Sequence, residues 1–151
     1  STGGRGLLGT RIDVGNSHAL TFEGYFNGTG YTPTQWAVLS PLLLQAARNA
    51  GSSTASALSG AANSQLNLFS RQWYLISGFT ASEIFRVFNS SISAVVSLED
   101  FSGLGIFRWE WLVSGGSTLS LLALGFWGPD TGQYGARPID ARLGMEWRVN
   151  F

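Results

Sequence analysis

The 151-residue sequence has little charge, no cysteine and no lysine. Charged residues make up 12% of the chain, about half the usual quarter, and all nine basic residues are arginine. The missing cysteines exclude disulfide scaffolds, thiolate metal sites and cysteine nucleophiles. A net charge of zero without a basic stripe argues against a nucleic-acid binder. The hydrophobic fraction of 44% excludes a disordered chain.

The sequence also lacks a run of about 20 apolar residues that could form a membrane-spanning helix. Its most apolar stretch, residues 111–129, is interrupted by SGGST at 114–118, which predicts a turn. A chain with 10 Phe, 6 Trp and few charges nevertheless needs protection from aggregation. A membrane that is crossed by strands would supply that protection.

Alternation of polar and apolar residues is the dominant pattern in this chain, and it predicts β-strands with two different faces. We predict seven strands, at residues 5–14, 18–27, 66–79, 85–98, 104–113, 118–128 and 140–151. Most are longer than the usual ~5–6 residues. A strand of about eleven residues at ~3.3 Å each, tilted ~45°, crosses roughly 25 Å, which is the height of a lipid-facing band.

The two faces of these strands differ in chemistry. We expect one face to contact lipid through Phe22, Phe107, Trp109, Trp111, Leu143, Met145, Trp147, Val149 and Phe151. We expect the other face to line a barrel interior, where its charges set solute selectivity or only satisfy one another: Arg11, Asp13, Glu23, Arg108, Glu110, Arg142, Glu146 and Arg148. A soluble sandwich or barrel is the alternative. Its water-facing surface would then carry no charge over 87–98 and 118–128.

Two short connections predict hairpins. The sequence GNS between the first two strands predicts a three-residue loop that sets Ile12 opposite Leu20. The sequence GG between the fifth and sixth strands predicts a two-residue turn that sets Trp109 opposite Leu122. Consecutive leucines in the sixth strand leave a bulge or a different register open there.

One long connection, residues 28–65, differs from the strands. Ser40 and Pro41, followed by LLLQAARNAG, predict a helix over about 41–50, with the serine as its N-cap and the proline at its first position. The small polar residues that follow predict a loop.

The last predicted strand, with its alternating apolar residues and terminal Phe151, resembles the assembly signal of bacterial outer-membrane β-barrel proteins. In that group the final strand ends in an aromatic residue that the barrel-assembly machinery reads. Residues 71–105, with RQWYLISGF and LEDFSGLG, also look like the C-terminal portion of larger porin-like barrels. The resemblance covers the chain from the third predicted strand to its end. It implies an all-β, antiparallel transmembrane barrel in the outer membrane with a periplasmic C-terminus.

Seven strands are an odd number and too few to close a bacterial barrel. We therefore expect residues 1–151 to form one segment of a larger barrel, cut in an extracellular loop and completed by an N-terminal portion or by other subunits. An eight-stranded monomer with one overlooked strand is the alternative. The expected periplasmic turns are 15–17, 80–84 and 114–117, and the expected extracellular connections are 28–65, 99–103 and 129–139.

The resemblance implies passive, porin-like passage of small solutes. The alternative is a non-conducting barrel that anchors or scaffolds a larger envelope complex. We expect no enzymatic activity, because the one histidine, His18, lies at a strand start on the predicted periplasmic rim. We expect no metal or other cofactor either. The expected partners are outer-membrane lipid, the remaining strands of the barrel and the barrel-assembly machinery.

Overall fold

The computed structural model describes residues 3–48, 69–84, 87–113, 117–135 and 141–149. These residues contain seven strands and one helix: β1 (Arg5–Val14), β2 (His18–Asn27), α1 (Pro33–Arg48), β3 (Trp73–Ile84), β4 (Phe88–Ser97), β5 (Gly103–Val113), β6 (Ser117–Trp127) and β7 (Ala141–Val149). All seven strands form one antiparallel sheet in chain order. Within the described residues β1 and β7 do not pair, so the sheet is open and is not closed into a barrel.

Most predicted strands coincide with observed ones. The predictions at 5–14 and 18–27 match β1 and β2 at both ends. The turn predicted at 80–84 is wrong, because β3 continues to Ile84. A register shift between Ala81 and Ile84, with Glu83 at a φ of 56°, lets the strand run past that point. Three predicted strands, 66–79, 85–98 and 140–151, and the predicted turn at 114–117 lie partly outside the described residues.

The first hairpin has the predicted register. Ile12 lies opposite Leu20, and Gly15 takes a φ of 69° in the three-residue loop, a left-handed conformation that glycine adopts without steric cost. The predicted register of β5 and β6 is wrong by one residue, because Trp109 lies opposite Leu121. Three residues rather than two connect these strands, which moves each β6 side chain to the opposite face from the one predicted.

Helix α1 begins eight residues before its predicted start. Pro33 occupies the first helical position, and Thr32 is the N-cap. The Thr32 Oγ1 accepts a 3.3 Å hydrogen bond from the Gln35 N–H, and the Gln35 Oε1 accepts a 2.9 Å bond from the Thr32 N–H. This reciprocal capping box starts the helix, and Pro41 lies inside it. The last two residues of the predicted helix lie outside the described residues.

The sheet has two different ends. The connections that follow β2, β4 and β6 lie at one end, called the loop end, and those that follow β1, β3 and β5 lie at the other, called the turn end. A small buried core lies at the loop end, where Tyr134 from residues 128–135 packs on Tyr74, Val95 and Leu104 of the sheet. Away from this core most strand residues are half-buried or exposed, apart from the buried Ala19 and Ala81, and all ten residues of β1 are exposed.

Candidate functional site

The strand registers place one continuous apolar face on the sheet. This apolar face includes eight of the residues predicted to contact lipid: Phe22, Phe107, Trp109, Trp111, Leu143, Met145, Trp147 and Val149. Phe151, the ninth, lies outside the described residues. Among the paired positions of the described strands, this face carries no Asp, Glu or Arg. Several of its large side chains are mostly exposed to solvent, such as Met145, which is 77% exposed.

Tryptophans lie toward both ends of the apolar face. Trp73 and Trp127 stand near the loop end, and Trp109, Trp111 and Trp147 stand toward the turn end. Leucine, isoleucine, phenylalanine and alanine occupy the rows between them. Trp73 and Trp111 lie about ten residues apart along the strand direction, which is ~33 Å of strand and ~25 Å of depth at the ~40° tilt of membrane strands.

The opposite face of the sheet carries the charges. This charged face includes all eight residues predicted to line an interior: Arg11, Asp13, Glu23, Arg108, Glu110, Arg142, Glu146 and Arg148. The structure does not bring them into one site. Three lie on β1 and β2 and five on β5 and β7. Between them, the paired positions of β3 and β4 on this face carry Tyr, Ile, Val, Ser, Thr, Gly and Asn but no charge.

Two ion pairs form among the described residues of this face, and each joins two residues of the same strand. Arg11 Nε lies 2.8 Å from Asp13 Oδ1, and Arg148 Nη2 lies 3.0 Å from Glu146 Oε1. All four side chains are more than half exposed, so each pair contributes little to stability. A cavity of about 260 Å³ lies over β5, β6 and β7. Arg108 and Glu110 of β5 and Glu146 and Arg148 of β7 line it.

A second group of polar residues lies at the loop end, and sequence reasoning missed it. We call it the loop-end cluster: Trp36, Arg71, Tyr74, Glu99, Asp100 and Gln133. Its members come from α1, from three connections and from the start of β3. No pattern of charge or aromatic residues in the sequence predicted this cluster, because its residues are up to 97 positions apart and meet only when the sheet forms.

Arg71 is the centre of the loop-end cluster. Its side chain is 2% exposed, its Nε lies 2.5 Å from Glu99 Oε2, and its guanidinium carbon lies 5.3 Å from the centre of the Trp36 ring. The Arg71 and Glu99 atoms are not aligned as a hydrogen bond, so charge attraction and the cation–π contact hold the guanidinium. Asp100 lies further away, at 3.8 Å. Two carboxylates therefore balance one buried cation.

Backbone and side-chain hydrogen bonds join the cluster to the sheet. The Tyr74 hydroxyl accepts from the Arg71 N–H and donates to Gln133 Oε1. Asp100 accepts bonds from the Ser102 hydroxyl at 2.6 Å and from the Gln133 N–H at 3.1 Å. The Trp36 indole donates a 2.7 Å bond to the Thr131 carbonyl, which fixes α1 against the connection after β6. The cluster thus fastens the described loop-end connections to one end of the charged face.

A cavity of about 300 Å³ opens beside this cluster, at the loop end of β1 and β2. Arg5, Tyr25 and Asn27 line it from the sheet, and Tyr31 and Phe69 line it from the connection. The Asn27 amide donates 2.7 Å to the Phe69 carbonyl and thereby holds the connection over β2. The loop-end cluster therefore leaves a polar opening on the β1 side of the charged face.

In the described part of the chain, no helix is long and apolar enough to cross a membrane. Within the same residues no group of three His, Asp or Glu side chains is placed to hold a metal ion. His18 lies on the apolar face, with its ring 5.9 Å from that of Phe79. Comparisons with family models, curated proteins and solved structures found no match for this chain. We therefore infer function from the two faces and the loop-end cluster.

Proposed function

We propose that this chain forms part of an outer-membrane β-barrel of porin-like type, which lets small polar solutes pass passively. The single observation that carries the proposal is the separation of charge and tryptophan between the two faces at the paired positions of the described strands. In this arrangement the apolar face contacts lipid and the charged face lines a water-filled interior. The turn end is then periplasmic and the loop end extracellular. The assembly machinery, outer-membrane lipid and further strands are the partners.

Exposure of the apolar face supports lipid rather than water as its surroundings. Leu8 is 84% exposed, Leu143 75% and Trp147 57%, and they share a face without charge across seven strands. A water-soluble protein seldom exposes a continuous apolar surface of this kind, because it drives aggregation. The tryptophans toward both ends stand where interfacial aromatic girdles lie in membrane barrels.

A non-conducting structural barrel is the second candidate, and the loop-end cluster favours it. Helix α1 and the connection at residues 128–135 pack on the loop end of the charged face, next to the buried Arg71 and Tyr134. Such packing would narrow the opening of the proposed barrel at its loop end. The polar cavity beside Arg5 favours passage instead, since it leaves the β1 side of the mouth open.

Quenching of tryptophan fluorescence by brominated lipid tests the lipid-facing assignment. The protein is reconstituted in vesicles as two single-tryptophan variants, one that keeps Trp109 on the apolar face and one that keeps Trp36 in the loop-end cluster. We expect strong quenching of Trp109 and little quenching of Trp36. Equal quenching of the two would contradict the proposed orientation of the sheet.

Planar-bilayer recording separates the two functions. The assembled protein should give discrete conductance steps if solutes pass. A complete absence of channels at any voltage, with the Trp109 quenching intact, would support the structural barrel instead.

A further inference from the structure

The two edge strands of the sheet lack the features that protect free edges. Water-soluble proteins guard such edges with proline, lysine, bulges, short strands or a covering helix. Strands β1 and β7 have ten and nine residues, contain no proline or lysine and keep one unbroken register with their inner neighbours. Nothing in the described part of the chain covers their outer edges. These edges are therefore suited to pairing with further strands.

Charge on the edge strands does not block such pairing. Arg11 and Asp13 neutralise each other along β1, as Glu146 and Arg148 do along β7. All four lie on the charged face and leave the backbone groups at the edge free to bond. Toward the turn end, a strand that approached either edge would meet a locally neutral pair. Near the loop end it would meet Arg5 on β1 or Arg142 on β7, which form no ion pair in the described residues.

Strand direction limits what can pair with these edges. Because seven antiparallel strands lie in chain order, β1 and β7 both run from the loop end to the turn end. A direct contact of β7 with β1 would be a parallel seam, unlike the six existing pairs. A second copy with its loop end on the same side of the membrane would also make parallel seams. A second copy makes antiparallel seams only when its loop end faces the opposite side.

We infer that both edges are antiparallel seams, closed by a partner segment with an odd number of strands that is not a second copy of this chain. The first and last strands of that segment run from the turn end to the loop end. Its outer face is apolar and its inner face polar, which continues the two faces of this sheet. The inference rests on the proposed barrel and specifies what completes it.

Disulfide scanning tests which strands meet at the seams, and the absence of native cysteine makes the result easy to assign. The protein is isolated with its natural partners from the cells that make it. Thr10→Cys on β1 is combined in turn with cysteine at Ala141, Leu143 or Met145, all on the apolar face. We expect no disulfide in any combination. A bond from residue 10 to β7, within or between chains, would overturn the inference, as would a homodimer of Thr10→Cys or Met145→Cys alone.

Single-residue hydrogen–deuterium exchange on the same particle supplies the positive result. We expect the outward amides of β1 and β7 to exchange as slowly as the amides that already pair in the sheet. Fast exchange there would show that nothing pairs with the edges and would also overturn the inference. Neither outcome depends on the lipid quenching of Trp109, so failure of the seams and failure of the barrel proposal are distinguishable.

Discussion

Arg71 is the most completely buried charge in the described part of the chain, and its surroundings explain why that burial is tolerated. A buried cation is costly unless opposite charges and bond acceptors surround it. Glu99 and Asp100 supply the charge, and the Trp36 ring covers the guanidinium. Several polar atoms of this group still lack aligned hydrogen bonds. Removal of one partner should therefore cost much more here than at an exposed pair.

Substitution of Arg71 tests this difference directly. Arg71→Ala leaves Glu99 buried without its cation, and we expect it to lower the free energy of unfolding by ~3–5 kcal/mol. Arg148→Ala removes an ion pair that is exposed on both sides, and we expect a loss of less than ~1 kcal/mol. Urea unfolding of the two variants in vesicles gives the comparison. Equal losses would show that the loop-end cluster does not stabilise the fold.

Two glycines of β5 provide a matched pair on the apolar face. A Cβ added at Gly103 would lie 2.1 Å from the Trp127 ring, whereas one at Gly105 would lie 3.5 Å from the same ring. We expect Gly103→Ala to displace Trp127 and cost ~1–3 kcal/mol, and Gly105→Ala to cost less. The unfolding free energy and the Trp127 fluorescence check both. An unshifted Trp127 spectrum in Gly103→Ala would contradict the close packing.

At the scale of elements, strand β7 shows how adjacent residues meet different surroundings. Leu143 belongs to the apolar face and Gly144, its neighbour, to the charged face. Both stand in one exposed, regular strand, and a Cβ at Gly144 meets no atom closer than 3.9 Å. Strand geometry and exposure are therefore matched, and the two positions differ in face and in the size of the native side chain.

A charge introduced at each position measures what the two faces contact. Leu143→Arg places a cation toward the centre of the proposed lipid-facing band, and we expect a loss of ~2–4 kcal/mol. Gly144→Arg places a cation on the charged face, toward the proposed interior, and we expect a loss below ~1 kcal/mol. Folding into vesicles in graded urea gives both values. A larger loss for Gly144→Arg would reverse the assignment of the faces.

The elements also show which parts of the fold were predictable from sequence. The β1–β2 hairpin was predictable because the loop GNS and the alternation on both sides agree on one register. The β5–β6 register was not, because Leu121 and Leu122 satisfy either face equally well. The helix start was missed because Ser40-Pro41 and Thr32-Pro33 are both N-terminal patterns, and the capping bond from Gln35 decides between them.

At the scale of the whole molecule, the faces of β1, β2, β5 and β7 were predictable, whereas the faces of β6 and the loop-end cluster were not. Alternation is a local property, so strand parity alone separated Arg142 from Leu143. The cluster depends on which connections meet after six strand pairings, and no local pattern records that Arg71 will lie beside Glu99 and Trp36. Contacts between distant loops follow from the completed sheet rather than from the residues near them.

In the proposed barrel, the charged face should also govern the preference for cations or anions. Arg108 and Arg142 have no carboxylate within 4.0 Å in the described residues, so their charge would be available to ions in the proposed interior. A unit charge acts on an ion ~10 Å away with about 0.4 kcal/mol in water, which is about a twofold change in permeability. We expect Arg108→Gln to raise cation permeability and to lower anion permeability by about that factor each, which raises the cation-to-anion ratio about fourfold.

Reversal potentials across a salt gradient measure this ratio. Ser91→Gln is the control, because Ser91 lies opposite Arg108 on the same face and the change adds bulk without charge. The ratio should be unchanged in the control. An equal shift in both variants would show that the effect does not come from loss of the Arg108 charge.

The one-sided position of the buried core has a consequence for how the sheet opens. Tyr74, Val95, Leu104 and Tyr134 hold only the loop end, and no comparable cluster holds the turn end in the described residues. Local opening therefore needs the least free energy at the turn end. The strands should separate there first and stay joined longest beneath Tyr134, so partial unfolding spreads from the turn end toward the loop end.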